Sequence, residues 1–239
     1  VPDVQLITCE HGGNAIPALF RPLFAEHRAL LNSHRGWDPG ALMMAEALAA
    51  ATRAPLVAST TSRLLVDLNR SIGHPQLFSP MTRAASREVK AQIVEQHYRP
   101  HRDAVENLVR QSVSSGHRVI HIASHSFTPE LDGVVRQADV GLLYDPRRRA
   151  EVHLSTRWQA SLAALHPELR VRRNYPYAGK GDGLTSHLRK QFGDSEYVGI
   201  ELEINQRIVA AAGQAWAVLR GALIDSLHAA RAPEPDLTA

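Results

Sequence analysis

Four stretches of the chain close apolar runs with groups that could do chemistry. "VQLITCEHGGNAIP" carries Glu10, His11 and Asn14, and "SRLLVDLNR" carries Asp67, Asn69 and Arg70. "RVIHIASHS" carries Ser124, His125 and Ser126, and "YVGIELEIN" carries Glu201 and Glu203. His11 stands three residues before Asn14 with two glycines between, a turn able to bring both side chains onto one centre. An imidazole suits zinc, and an oxygen donor can complete the set. His125 could arrive from the side. Three protein donors would then leave a position for water, as catalytic zinc requires. His121 differs, because it lies inside its apolar run, where a packed and hydrogen-bonded core histidine is expected.

Alternation in "GIELEIN" puts Glu201 and Glu203 on one face. One of them could act as general base and then general acid beside a metal-activated water. Two solvated carboxylates on an edge strand would show the same pattern. Asn69 and Arg70 offer an amide and a guanidinium fork, which suit a substrate carboxylate. Asp67 with Arg70 also reads as an internal salt bridge that holds the loop. A serine nucleophile is disfavoured because no Gly-x-Ser-x-Gly elbow is present. Cys9, in its apolar run, reads as a structural thiol.

These groups need a frame. "VQLIT" reads as a strand buried on both faces. Apolar residues from Leu19 to Leu31 recur at helical spacing, and "ALMMAEALAAAT" is a strong helix former. "APLVAST" and "SRLLVDLN" are two strand candidates. A long helical region follows over 82–116, kinked or divided at Pro100 and closed by Gly116. "RVIHIAS", "VGLLYD" and "YVGIELEIN" read as strands and "RVRRNYPY" as an extended segment entering a loop. "STRWQASLAALHPE" reads as a helix capped by Ser155 or Thr156, "GLTSHLRKQFG" as a short helix and 205–229 as a long one. Alternating strands and helices predict an α/β fold, with helices on both faces of a mixed, mostly parallel sheet. No linker or repeat interrupts the pattern. One domain over 1–239 is therefore expected, with a loose tail from about residue 230.

The 239 residues carry a net charge of only +3, with acids and bases interspersed. The basic cluster "DPRRRA" at 145–150 is short and reads as a solvated loop, so no nucleic-acid partner is expected. No apolar run approaches the roughly 20 residues that span a bilayer, so no membrane partner is expected either. A single cysteine allows no intrachain disulfide, which fits a reducing compartment; the expectation is the cytoplasm.

Five blocks in order resemble the N-formylglutamate amidohydrolase family: "CEHGGNAIP", "SRLLVDLNR", "HIASHSFTP", "RRNYPYAGKGDGLTSHLR" and "YVGIELEINQ". That family is similar in fold to the zinc carboxypeptidases and aspartoacylases, which implies a three-layer α/β/α sandwich. The resemblance implies one divalent metal, zinc by preference, held by His11 and His125, with Asn14 where the related pattern has a glutamate. It implies Glu201 as the catalytic carboxylate, from the "GIE" match, with Glu203 where many relatives carry an arginine that shapes substrate choice. Asn69 and Arg70 would hold the substrate, and Arg63 is a further catalytic candidate. Tyr175 and Tyr177, beside the glycine-rich "AGKGDG", would wall or cover the pocket. The implied reaction is metal-dependent hydrolysis of the amide bond of a small N-acyl amino acid such as N-formylglutamate. A small carboxypeptidase-like hydrolase and a non-catalytic carboxylate-binding protein are the alternatives.

Overall fold

The computed structural model describes residues 1–211 and 213–232. The strands are β1 (Asp3–Cys9), β2 (Leu56–Ala58), β3 (Arg118–Phe127), β4 (Glu130–Leu131), β5 (Val134–Val135), β6 (Val140–Leu143), β7 (Val171–Arg173) and β8 (Tyr197–Asn205). The α-helices are α1 (Arg28–Leu31), α2 (Ala41–Thr52), α3 (Pro80–Arg83), α4 (Arg87–Ile93), α5 (Arg99–Ser114), α6 (Arg149–Leu165), α7 (Leu184–Arg189), α8 (Gln206–Ala210) and α9 (Gly213–Arg231).

Six strands form one sheet in the order β2-β1-β3-β8-β6-β7, and β4 and β5 make a separate hairpin. Every pair in the large sheet is parallel except β6 with β8. The two sides of the sheet differ in chemistry. On one side Ile7, Cys9, Ile120, Ile122, Val198, Ile200 and Leu202 meet Met44 and Leu48 of α2, Trp158 of α6 and Leu223 and Leu227 of α9. On the other, Leu6, Val119 and Tyr197 lie under Val105 and Val109 of α5 and Leu184 and Leu188 of α7. The mixed sheet between two helical layers is the architecture expected from the alternating pattern.

Toward the C-terminal ends of the parallel strands this second side turns polar. Register places Ala123 beside Glu201 and His125 beside Glu203, and period-two alternation puts all three functional side chains on this face. The chain goes from β1 to β2 on one flank and returns to β3 on the other, so β1 is the switch point of the sheet. A crevice opens beyond the strand ends at such a point.

His121 sits in this polar row as the sequence suggests. It is fully buried, with Thr8 Oγ1 at 2.8 Å from Nε2 and Tyr197 Oη at 2.7 Å from Nδ1. Burial pushes its pKa down to about 4. The unfolded chain takes up this proton near pH 6.5, the folded one only near 4. Stability present above about 6.5 is therefore lost as the pH falls toward 4, by on the order of 3 kcal/mol. We expect His121→Gln to flatten this slope relative to wild type, as read from urea midpoints across that window. Equal slopes in the two proteins would remove the role given to His121.

Several local expectations change. Residues 62–70 form turns and no strand, because Leu64, Leu65, Val66 and Leu68 pack with Phe20, Phe24, Ile93 and Tyr98 in a separate apolar cluster. The helical spacing from Leu19 to Leu31 resolves into a 3-10 segment, Ala18–Phe24, and the short α1. Helix α6 begins at Arg149, so Ser155 and Thr156 lie within it and cap nothing. Ser155 donates instead to the Glu151 carbonyl at 2.6 Å. The single helix expected over 205–229 is two, α8 and α9, and α9 continues to Arg231, past the expected start of the loose tail. The rest of that tail, 233–239, lies outside the described residues. Pro100 occupies the first turn of α5, after a π-helical turn at Val94–Tyr98, and Gly116 follows the helix with φ +80°.

Candidate active site

Two histidines converge on one carboxylate oxygen. His11, just past β1, has its Nδ1 3.3 Å from Asp38 Oδ2 and its Nε2 2.7 Å from Asp67 Oδ1. His125 repeats the arrangement, with Nδ1 2.9 Å from the same Asp38 oxygen. Its Nε2 is 3.0 Å from Glu10 Oε2, a charge contact without hydrogen-bond alignment. His11, Asp38 and His125 are all buried and present donor atoms within 4.8 Å of one another.

This set fits a divalent cation. Both Nδ1 atoms point at a common carboxylate, while the far nitrogen of each ring faces its own carboxylate, Asp67 or Glu10. Such outer carboxylates fix the ring orientation and the tautomer that frees the ligating nitrogen. Glu10 also meets His101 of α5 at 3.4 Å, and Arg63 ties Asp67 (2.7 Å) to Asp38 (3.4 Å). Asp67 thus pairs with Arg63 and His11 rather than in the expected bridge to Arg70.

The charges lock one another. Burial alone would raise the Asp38 carboxyl, but His11, His125 and Arg63 hold it well below the usual range. For Asp67 the same burial is outweighed by Arg63 and His11. Burial would lower the His125 pKa, yet its contacts with Asp38 and Glu10 push it up.

The cluster forms the floor of a cavity of about 350 Å³. Of the residues singled out from sequence, His11, Arg63, Asn69, Arg70, His125, Tyr177, Glu201 and Glu203 line it; Asn14 and Tyr175 do not. The Asn14 amide donates to exposed Asn32 Oδ1 at 2.9 Å, away from the histidines. The chain beyond His11 runs against residues 59–61, with Gly12 N bonded to Ser59 O and Ala15 N to Thr60 O. A Cβ at Gly13 would sit 2.6 Å from Thr60 O, so that glycine serves close backbone approach. Asp38, from the loop "HRGWDPG", takes the place expected of Asn14. Its N–H bonds the His11 carbonyl at 2.9 Å, and Gly36 O accepts from both Arg63 N and Ser62 Oγ. The only sequence signal for Asp38 was an acid inside a glycine- and proline-framed turn. The Tyr175 ring packs edge-on against Phe127, with Arg172 over its face. Tyr177 stands at the rim, its hydroxyl accepting from Arg136 at 3.1 Å.

The two β8 carboxylates have different surroundings. Glu203 is 6% exposed, its Oε2 has no hydrogen-bond partner among the described residues, and burial above all pushes its pKa up to about 8. Glu201 is half-buried, and its Oε1 accepts from the buried Thr185 hydroxyl at 2.6 Å. Asn69 Oδ1 accepts from Leu184 N at 2.7 Å at the start of α7. Arg70 Nη1 donates to the carbonyls of Asn69 and Asp182, while its Nε is buried without a hydrogen-bond partner among the described residues.

Comparison with known proteins extends this picture. The chain matches gene product Atu2144 from Agrobacterium tumefaciens at 29% identity and TM-score 0.81, over 95% of this chain and 89% of that one. It is similar in fold to an N-formylglutamate amidohydrolase from Ralstonia eutropha JMP134, at 18% identity and TM-score 0.68, over 96% and 94%. No curated protein matches it. The model of the family described as N-formylglutamate amidohydrolase matches residues 4–210. With that match spanning most of its length, the chain belongs to the N-formylglutamate amidohydrolase family.

Proposed function

We propose that this protein is a metal-dependent hydrolase of the amide bond in a small N-acyl amino acid. The observation that carries the reading is the pair of Nδ1 atoms on one Asp38 oxygen, with unpartnered Glu203 on the neighbouring strand beside His125. His11, Asp38 and His125 would hold the ion, zinc by preference for a nitrogen and carboxylate set. When bound, such an ion polarises the scissile carbonyl and acidifies water.

The remaining work falls to side chains of this chain. In its ionised form, whose share grows as the pH rises toward 8, Glu203 takes the proton of the attacking water and returns it to the leaving nitrogen as the C–N bond breaks, so acid and amine are released. We assign this step to Glu203 rather than Glu201 because its Oε2 is buried and makes no hydrogen bond among the described residues, whereas Glu201 is held to Thr185. Arg63, which also lines the cavity, keeps Asp38 and Asp67 in place. The Asn69 amide and the Arg70 guanidinium take the substrate carboxylate.

The size of the cavity and its wall of Tyr177, Ala178, Gly181 and Asp182 favour a small amide over an extended peptide. No helix is long and apolar enough to cross a membrane among the described residues. The test is incubation of the purified protein with zinc, cobalt or manganese and a panel of N-formyl and N-acetyl amino acids, following release of the free acid and amine. Metal-dependent release from at least one compound is expected. Inertness toward the whole panel would turn the reading to a carboxylate-binding protein.

A further inference from the structure

Resting on that reading, the charges left over in the cavity specify the ligand further. Asp38 belongs to the metal cluster, and Glu203 to proton transfer. Both Asp182 oxygens are taken by Ser71, through N–H at 2.8 Å and Oγ at 2.5 Å. Arg63 is spent on Asp38 and Asp67. Two charged groups remain that make no ion-pair contact among the described residues: Arg70, which acts on Asp67 and Asp182 only at longer range, and Glu201, which acts likewise on Arg189, itself paired with Glu151. They do not pair with each other, although both line the same cavity.

We propose that the substrate is an N-acyl amino acid bearing a cationic side chain, whose carboxylate meets Arg70 and whose cation meets Glu201.

Glu201 is built for this. Thr185 is fully buried and grips one carboxylate oxygen, and α7 that carries it is tied to Asn69 and packed through Leu184 and Leu188. The other oxygen is left to the cavity. At Gly183 a Cβ would stand 3.5 Å from Glu201 Oε1 and 2.8 Å from Asn69 Oδ1, so glycine keeps that corner open. A substrate with a second carboxylate would meet Glu201 with no permanent free cation beside it. The other basic groups of the lining are His34, which is exposed, and His74, whose Nδ1 accepts the Gln76 N–H. A like charge facing a held carboxylate is a device for rejection as well as selection.

Three N-formyl amino acids separate the possibilities: the lysine compound, its uncharged analogue the norleucine compound, and the glutamate compound. With metal-loaded wild type, kcat/KM is expected to be about 10-fold higher for lysine than for norleucine, the size of one charge-assisted contact. Glutamate is expected to be lowest. In Glu201→Gln the lysine-to-norleucine ratio falls to within about twofold, chiefly through KM. Thr185→Val, which frees Glu201 but leaves its charge, gives a ratio between the two. Preference of wild type for glutamate, or a ratio unchanged in Glu201→Gln, would overturn the proposal. A drop in kcat equal for all three compounds would overturn it too, since Glu201 would then serve the chemistry. If none of the three is hydrolysed, the hydrolase reading fails on its own and calorimetric binding decides the inference. Tighter binding of the lysine compound that is lost in Glu201→Gln sustains it; no binding, or the reverse order, overturns it.

Discussion

Glu203→Gln is expected to lower kcat by about 10²–10⁴-fold, the range for loss of a positioned general acid–base group, while metal content stays at the wild-type level. The substitution keeps the shape of the side chain and removes its capacity to carry a proton. Glu203 is suited to this because Oε2 is buried and unpartnered, and because register sets it beside His125 at the cluster. A Gly141 Cβ would come within 2.0 Å of Tyr175 O and 3.2 Å of Glu203 Cβ, so only glycine lets β6 run this close to Glu203. The measurement is kcat on the best substrate with metal quantified in the same samples. Wild-type turnover in Glu203→Gln, with turnover lost in Glu201→Gln, would return the proton-transfer role to Glu201.

Elemental analysis should find about one divalent ion per chain, as a three-ligand catalytic site holds. His125→Ala should remove both the ion and activity. Asp38→Asn should weaken retention because the only anionic donor of the set is lost, and Asp67→Asn should cost about 10–100-fold in metal affinity by releasing the outer nitrogen of His11. Asn14→Ala should leave metal content unchanged, since its side chain reaches Asn32 instead of the histidines. That variant separates the ligand set of the folded chain from the spacing argument that pointed to Asn14. Retention of the ion in His125→Ala, or its loss in Asn14→Ala, would displace the assignment.

The reach of the sequence follows from the kind of order each residue belongs to. Strand residues alternate with period two whatever surrounds them, so Glu201 and Glu203 were legible as one face, and the ends of β1, β3 and β8 as the places that present His11, His125 and these carboxylates; that His125 shares their row follows from register. Local chemistry also marked His121 as a core residue and Asn69 and Arg70 as neighbours of the cavity. Asp38 was not legible: it lies 27 residues from His11, and a long-range backbone bond to that residue, with Gly36 anchored by residues 62–63, carries it into the cluster. Residues 62–70 misled because an apolar run looks the same whether it enters a sheet or a separate core, and only contact with Phe20, Phe24 and Tyr98 decides which. Alternation likewise made Glu201 and Glu203 equivalent. The family resemblance pointed to Glu201, whereas the packed structure separates the two by contact: among the described residues burial leaves one oxygen of Glu203 without a partner, while a threonine on α7 takes hold of Glu201.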